Sequence, residues 1–256
     1  MLHLTATEYL TPLREGGSLP AIVETDAGEP YVVKFRGAGQ GAKALVAEVL
    51  AAGLAQAIGL PVPQPAIVTL GEGFGLGEPD PEIQDLLRGS AGTNFGLAYL
   101  SGALGYEDRV DGRRLDAELA ADVVWFDALI SNVDRTPRNP NLLVWRDAVW
   151  LIDHGASLYF HHAGAPDGWA ARSDTAFPQI KDHILLKRAG DLAAAGERLR
   201  PRLTETVLQE VAAWIPDAWL DGEAALRRNA YMAYLTARLD GPQAWLREAE
   251  HARQHA

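Results

Sequence analysis

Asp134, Asn139, Asn141 and Asp153 are the residues of this chain whose types and spacing could do chemistry. Two apolar runs, Leu142 to Trp145 and Ala148 to Ile152, are separated only by Arg146-Asp147 and read as a short β-hairpin. A hairpin returns its second strand beside its first. Asn139 and Asn141, just ahead of the ribbon, should therefore lie close to Asp153, just after it, with Asp134 a few residues upstream on the same side. Carboxylates and carboxamides converging at one end of a rigid ribbon make an oxygen-rich site suited to Mg²⁺. In phosphoryl transfer a protein mostly positions groups and neutralises charge. Asp134 suits the orientation of an acceptor hydroxyl, while Asn139 and Asp153 suit a metal held against phosphates. Asn141 is the rival to Asn139, which is favoured on spacing. Taken singly, these residues are also ordinary turn formers.

The elements that must position these groups can be read on either side. Leu19 to Thr25 and Pro30 to Phe35 flank Asp26-Ala27-Gly28-Glu29 as a second hairpin. A helix is expected from Ala42 to Ile58, stopped by Gly59 and Pro61, and a strand over Pro65 to Leu70. Gly71 to Gly92 reads as a loop with a short helix, and Phe95 to Leu100 as an apolar piece linking two lobes. Asp116 to Ser131 reads as an amphipathic helix leading into the Asp134 loop. Ser157 to Pro178 looks irregular, and the chain from Ile180 is helical. Strands first and helices last imply an α+β fold in two lobes, divided as 1–95 and 96–256.

Two further charges stand out because their surroundings are apolar. Lys34 lies in Tyr31-Val32-Val33-Lys34-Phe35, and Glu48 is the only charged residue between Lys43 and Glu72. An unpaired buried carboxylate is expensive, so pairing Lys34 with Glu48 would satisfy both and aim the lysine at nucleotide phosphates. Solvent-facing positions for both are an equal alternative. Gly16-Gly17-Ser18 offers backbone N–H groups that could close over phosphates, with Gly37-Ala38-Gly39-Gln40-Gly41 as a competing loop. Neither a Walker A loop nor a dinucleotide fingerprint is present.

The order Lys34, Glu48, Asp134, Asn139, Asp153 resembles the protein-kinase-like superfamily, and Ser131 to Leu143 followed by Leu151-Ile152-Asp153-His154-Gly155 looks most like the HipA-like kinases. Similarity to phosphatidylinositol kinases is more distant. Ile180-Lys181-Asp182-His183 and Ile215-Pro216-Asp217-Ala218-Trp219 extend the resemblance into the helical end. It implies a two-lobed kinase fold, small and β-rich then larger and helical, with ATP between the lobes. By that resemblance Lys34 contacts the phosphates, Glu48 orients it, Asp134 is the catalytic base, and Asn139 and Asp153 hold Mg²⁺. The implied reaction moves the γ-phosphoryl group to a hydroxyl, with protein Ser or Thr as the first acceptor. The alternatives are a small molecule or lipid acceptor, AMP transfer, or a nucleotide-binding module without turnover. Val133 stands where an Arg is usual before the catalytic Asp, His154 replaces the Phe of Asp-Phe-Gly, and no Ala-Pro-Glu follows. These departures leave activation-loop regulation and the substrate class open.

Composition narrows the classes. The 256 residues are 48% apolar and 22% charged, as in an ordinary globular protein. The absence of cysteine excludes disulfides and thiolate chemistry. A net charge of −11 argues against direct nucleic-acid binding. Met1 to Leu10 lacks a signal-peptide pattern, and Ala44 to Leu70 is interrupted by Glu48, Gln56 and three prolines, so no membrane span is expected and a cytoplasmic location is the default. His154, His161 and His162 invite a metal phosphohydrolase reading, but the only earlier histidine is His3. Arg135 and Arg138 could meet phosphate, stack on a strand or pair with a surface acid. Trp214, Trp219, Tyr231 and Trp245 read as packing residues.

Overall fold

The computed structural model describes residues 1–13, 19–39, 41–163 and 165–256. The first part of the chain is a closed five-stranded barrel in the order β1 (Leu2–Pro12), β2 (Ala21–Thr25), β3 (Pro30–Lys34), β5 (Gly92–Ala98), β4 (Pro65–Leu70). All neighbours are antiparallel except β1 and β4, whose parallel pairing of Leu2–Thr5 with Ala66–Thr69 closes the barrel. The β2–β3 turn uses Gly28 at φ +73°, which only glycine adopts without cost. Val23, Tyr31, Val33, Phe35, Ala66 and Val68 fill the interior, and α2 (Pro81–Gly89) covers one side with Ile83 and Leu87. Asp80 starts that helix by accepting from the Glu82 N–H at 3.0 Å, with Pro81 at the first position.

Between β3 and β4 runs α1 (Gly41–Ile58), buried nearly all round, Glu48 included. It does not belong to the barrel core. Its apolar residues join the larger core formed with the C-terminal helices. Its composition and length would suit a membrane span, at mean hydropathy 1.4, but 72% of that stretch is buried inside the protein. A core helix is therefore the better description. Gly53 permits its closest approach: a Cβ there would lie 2.6 Å from both Trp214 and Val211.

Phe95 to Ala98 is not a linker. It is the end of β5, paired to both β3 and β4, so the expected division at 95/96 falls inside a strand. The chain leaves the barrel through Tyr99–Ala103 and adds β6 (Leu104–Gly105) to the edge of the ribbon β7 (Leu142–Trp145) and β8 (Ala148–Leu151). The ribbon turns through Arg146 and Asp147, both at positive φ (48° and 62°), the twist that suits a two-residue hairpin. After α3 (Asp108–Asp111) comes α4 (Ala117–Ile130), capped by Asp116 accepting from the Leu119 N–H at 2.7 Å. Its residues from Val123 to Ile130 are all buried, so it is a central helix and not the amphipathic one expected. Short 3₁₀ turns follow at Tyr159–His162, Pro166–Gly168, Ala170–Arg172 and Pro178–Asp182. The helices α5 (Leu192–Leu199), α6 (Glu205–Ala212), α7 (Ala224–Asp240) and α8 (Ala244–Gln254) complete the larger core, where Trp219, Tyr231 and Trp245 are buried. The Trp219 indole N–H donates to the Thr93 carbonyl at 3.1 Å, fastening the helical part to β5.

Candidate active site

The lone charges of β3 and α1 meet. Lys34 Nζ bonds Glu48 Oε1, and the same ammonium bonds Asp153 Oδ1 at 2.6 Å, 119 positions away in sequence. The Glu48 side chain is almost fully buried, whereas that of Asp153 is 45% exposed at the ribbon's mouth. Burial pushes the Lys34 ammonium down, but Glu48 and Asp153 together push it up, and the net is a pKa above the ordinary lysine value. Burial raises the Glu48 carboxyl by more than Lys34 lowers it. For Asp153 burial also raises, but the Lys34 ammonium prevails and the carboxyl lies below its usual range. Lys34 is thus a fixed cation whose more exposed partner is the acid following the ribbon.

Asp134 arrives from the other side. α4 ends in a left-handed Ser131 (φ +54°), and the Asn132 side-chain oxygen accepts from the Asp134 N–H at 3.1 Å. The Asn141 amide spans the gap between the acids: it lies 3.3 Å from Asp134 Oδ2 and 3.4 Å from the Asp153 carbonyl. Asn141 is buried and Asn139 is exposed. Asn139 donates to Asp134 Oδ2 at 2.7 Å, and among the described residues it makes no hydrogen bond to Asp153. Asn141 and Asp153 both have left-handed backbones (φ +50° and +55°), a conformation that Asn and Asp tolerate better than most residues. The structure thus brings together Lys34, Glu48, Asp134, Asn141 and Asp153, with Asn139 touching the group only through Asp134.

Gly16, Gly17 and Ser18, expected over the phosphates, lie outside the described residues. In the competing loop, Gly37 is explained by packing: its N–H donates to Ser90 Oγ at 3.0 Å, and a Cβ would lie 2.8 Å from that oxygen.

Beneath the mouth lies a layer that sequence reasoning missed. Arg135 is buried and is neither a surface pair nor stacked on a strand. Its guanidinium bonds Asp127 of α4 through Nε, and through Nη1 it bonds the carbonyls of Asn141 and Ile152. Asp127 also accepts from Asn132 Nδ2 at 3.0 Å and His183 Nε2 at 2.9 Å. Burial raises the Asp127 carboxyl, but Arg135 and His183 outweigh it and hold it well below the usual range. A lone acid in the apolar run Val123 to Ile130 was the available signal, of the same kind that marked Glu48.

His154 is buried, edge-on to Phe126, with neither ring nitrogen hydrogen-bonded among the described residues, and burial pushes its imidazole down to about 3. His161 and His162 stand apart from it, with their Nε2 atoms 3.0 Å apart and Tyr231 3.1 Å from His161 Nδ1. Among the described residues no group of three His, Cys, Asp or Glu is arranged to hold a metal by itself. Mg²⁺ in nucleotide sites typically uses one or two carboxylates and substrate phosphates, so the two acids and the amide at the mouth are a donor set that fits it.

A barrel whose strand lysine reaches a helix glutamate and a ribbon-end aspartate is the arrangement expected of these residues in a kinase-type phosphotransferase. The sequence profile of the HipA-like kinase family matches residues 6–240, and the chain belongs to that family. Its backbone is similar to the crystal structure of a Helicobacter pylori proinflammatory kinase, CtkA, with a TM-score of 0.60 over 99% of this chain and 98% of that one. At 13% identity that likeness concerns the fold alone. No curated protein sequence matches the chain.

Proposed function

We propose that the protein is an ATP- and Mg²⁺-dependent kinase that transfers the γ-phosphoryl group to a hydroxyl, with protein Ser or Thr as the acceptor class. The observation that carries this reading is the Lys34 ammonium held jointly by Glu48 and Asp153, with Asn141 bridging Asp153 to Asp134. In this reading the barrel is a small lobe and the rest a larger one. The division falls after β5, at Tyr99–Ala103, and the nucleotide occupies the cleft that Lys34 faces. Cytoplasmic location belongs to the same proposal.

Lys34 would grip the phosphates, held extended by its bond to Glu48. Asp134 orients the acceptor hydroxyl and takes its proton as the new O–P bond forms and the bond from the γ-phosphorus to the β,γ-bridging oxygen breaks, releasing ADP. Asp153 and Asn141 would hold Mg²⁺, which would supply charge neutralisation for the transferring phosphoryl group. We place Asn141 in that role ahead of Asn139. Asn141 is the buried amide that reaches both the Asp134 carboxylate and the Asp153 main-chain carbonyl, and it directly precedes β7 as Asp153 closely follows β8. Asn139 instead orients the Asp134 carboxylate from the solvent side. The test is transfer from γ-labelled ATP to protein acceptors in wild type, Asn141→Ala and Asn139→Ala. Loss in Asn141→Ala with partial activity in Asn139→Ala supports the assignment, and the reverse order refutes it.

A further inference from the structure

Arg135 carries a full positive charge into the interior, and among the described residues its carboxylate partner is Asp127, itself fully buried. Such a pair is seldom retained for stability alone, since apolar replacements often do as well. The bonds it makes show where the rigidity goes. The Nε side of the fork is fixed on Asp127, which leaves Nη1 aimed at the carbonyls of Asn141 and Ile152. Those carbonyls belong to the residue that ends the loop before β7 and the residue just before Asp153. The Asn141 carbonyl also accepts from the Ile152 N–H at 3.1 Å, so one guanidinium closes the ribbon across its mouth. Asp127 is fixed in turn. His183 donates to it from Nε2, because its Nδ1 accepts from the Leu185 N–H at 3.1 Å. Asn132 links the same carboxylate to the Asp134 backbone.

We propose that His183, Asp127 and Arg135 form a buried positioning relay that sets the separation and facing of Asn141 and Asp153. None of the three touches nucleotide; they act through the two strand-end backbones. The proposal rests on the reading of Asn141 and Asp153 as ligands given above. It gives a role to His183, in a stretch of the sequence outside the catalytic ribbon. It also explains why Arg follows Asp134 directly: side chains on either side of one backbone position reach opposite faces, one to the reacting hydroxyl and one down to Asp127.

The test measures binding of Mn²⁺ with a non-hydrolysable ATP analogue to the full chain by electron paramagnetic resonance, alongside far-UV circular dichroism and urea unfolding. Arg135→Lys keeps the charge but cannot reach Asp127 and both carbonyls together. It should remain folded and bind Mn²⁺ at least about tenfold more weakly, as is typical when a group supporting a ligand is removed. His183→Gln retains a donor toward Asp127 and should bind as wild type, whereas His183→Leu should behave like Arg135→Lys. If Arg135→Lys does not fold, the His183 pair decides. Folded His183→Leu and Arg135→Lys proteins within about twofold of wild type, where wild type binds and Asp153→Ala does not, would overturn the relay and leave the ligand assignment standing. Wild-type affinity in Asp153→Ala would instead remove the ligand assignment on which the relay depends.

Discussion

Replacing Lys34 by Met tests the electrostatics of the cleft without reference to any substrate. The change removes the one cation shared by Glu48 and Asp153 and leaves two carboxylates facing each other, one of them almost fully buried. Opposite unit charges ~3 Å apart in an effective dielectric of ~20 attract by about 5–6 kcal/mol. Desolvation of the pair takes part of that, and deleting one partner of a buried pair typically costs about 3–5 kcal/mol. Lys34→Met should therefore lose about 3–5 kcal/mol of unfolding free energy at pH 7, nearly all of it attributable to Glu48. Without the ammonium the Glu48 carboxyl is raised further by its burial, so the folded state binds a proton that the unfolded state releases. The lost stability should therefore return as pH falls from 7 toward 5. Glu48→Gln in the same chain should restore most of it at pH 7. Urea unfolding of the wild type, both single variants and the double variant at pH 7 and pH 5 reads all of this. A loss below about 1 kcal/mol at pH 7, with no recovery at pH 5 and no rescue by Glu48→Gln, would refute a buried ion pair.

Gly53→Ala should destabilise by about 1–3 kcal/mol although alanine is the better helix former, because its methyl would meet Trp214 and Val211 at 2.6 Å; thermal unfolding checks this. Burial pushes the His161 imidazole down to about 3, so the unfolded chain takes up a proton near pH 6.5 that the folded chain refuses. The stability His161 permits is full above pH 6.5 and falls as pH drops toward 3. His161→Gln should flatten the stability profile between those limits by up to about 1.4 kcal/mol per pH unit, measured by urea unfolding across the range.

What the sequence made legible was local or chemically conspicuous. The ribbon could be read because two apolar runs are separated by only two residues, both of which adopt the positive φ such a turn requires. Lys34 and Glu48 were legible as charges without an evident reason to be in apolar elements, and the structure supplies the reason as a contact between them. β1 is not legible as a strand because ten of its eleven residues are exposed or half-buried, with Ala6 alone buried. Its conformation is imposed by pairing with β2 and, in parallel, with β4 some sixty positions on, a constraint no local pattern encodes. The loop amides divided for a similar reason. Spacing from Asp134 favours Asn139, but the turn bridging Thr136 and Asn139 spends those residues outside and delivers Asn141 to the interior. Arg135 was visible as a charge beside Asp134, yet its partners lie eight residues back in α4 and in the strand-end carbonyls, and only the folded chain joins them.

Phosphoryl transfer itself is the most direct test of the central claim. Wild-type protein and Asp153→Ala should be incubated with ATP and Mg²⁺ and a panel of protein acceptors, and the products read by mass spectrometry. The account predicts addition of a phosphoryl group by the wild type, abolished in a folded Asp153→Ala protein. Undiminished transfer by Asp153→Ala, or addition of AMP in place of phosphate, would contradict it.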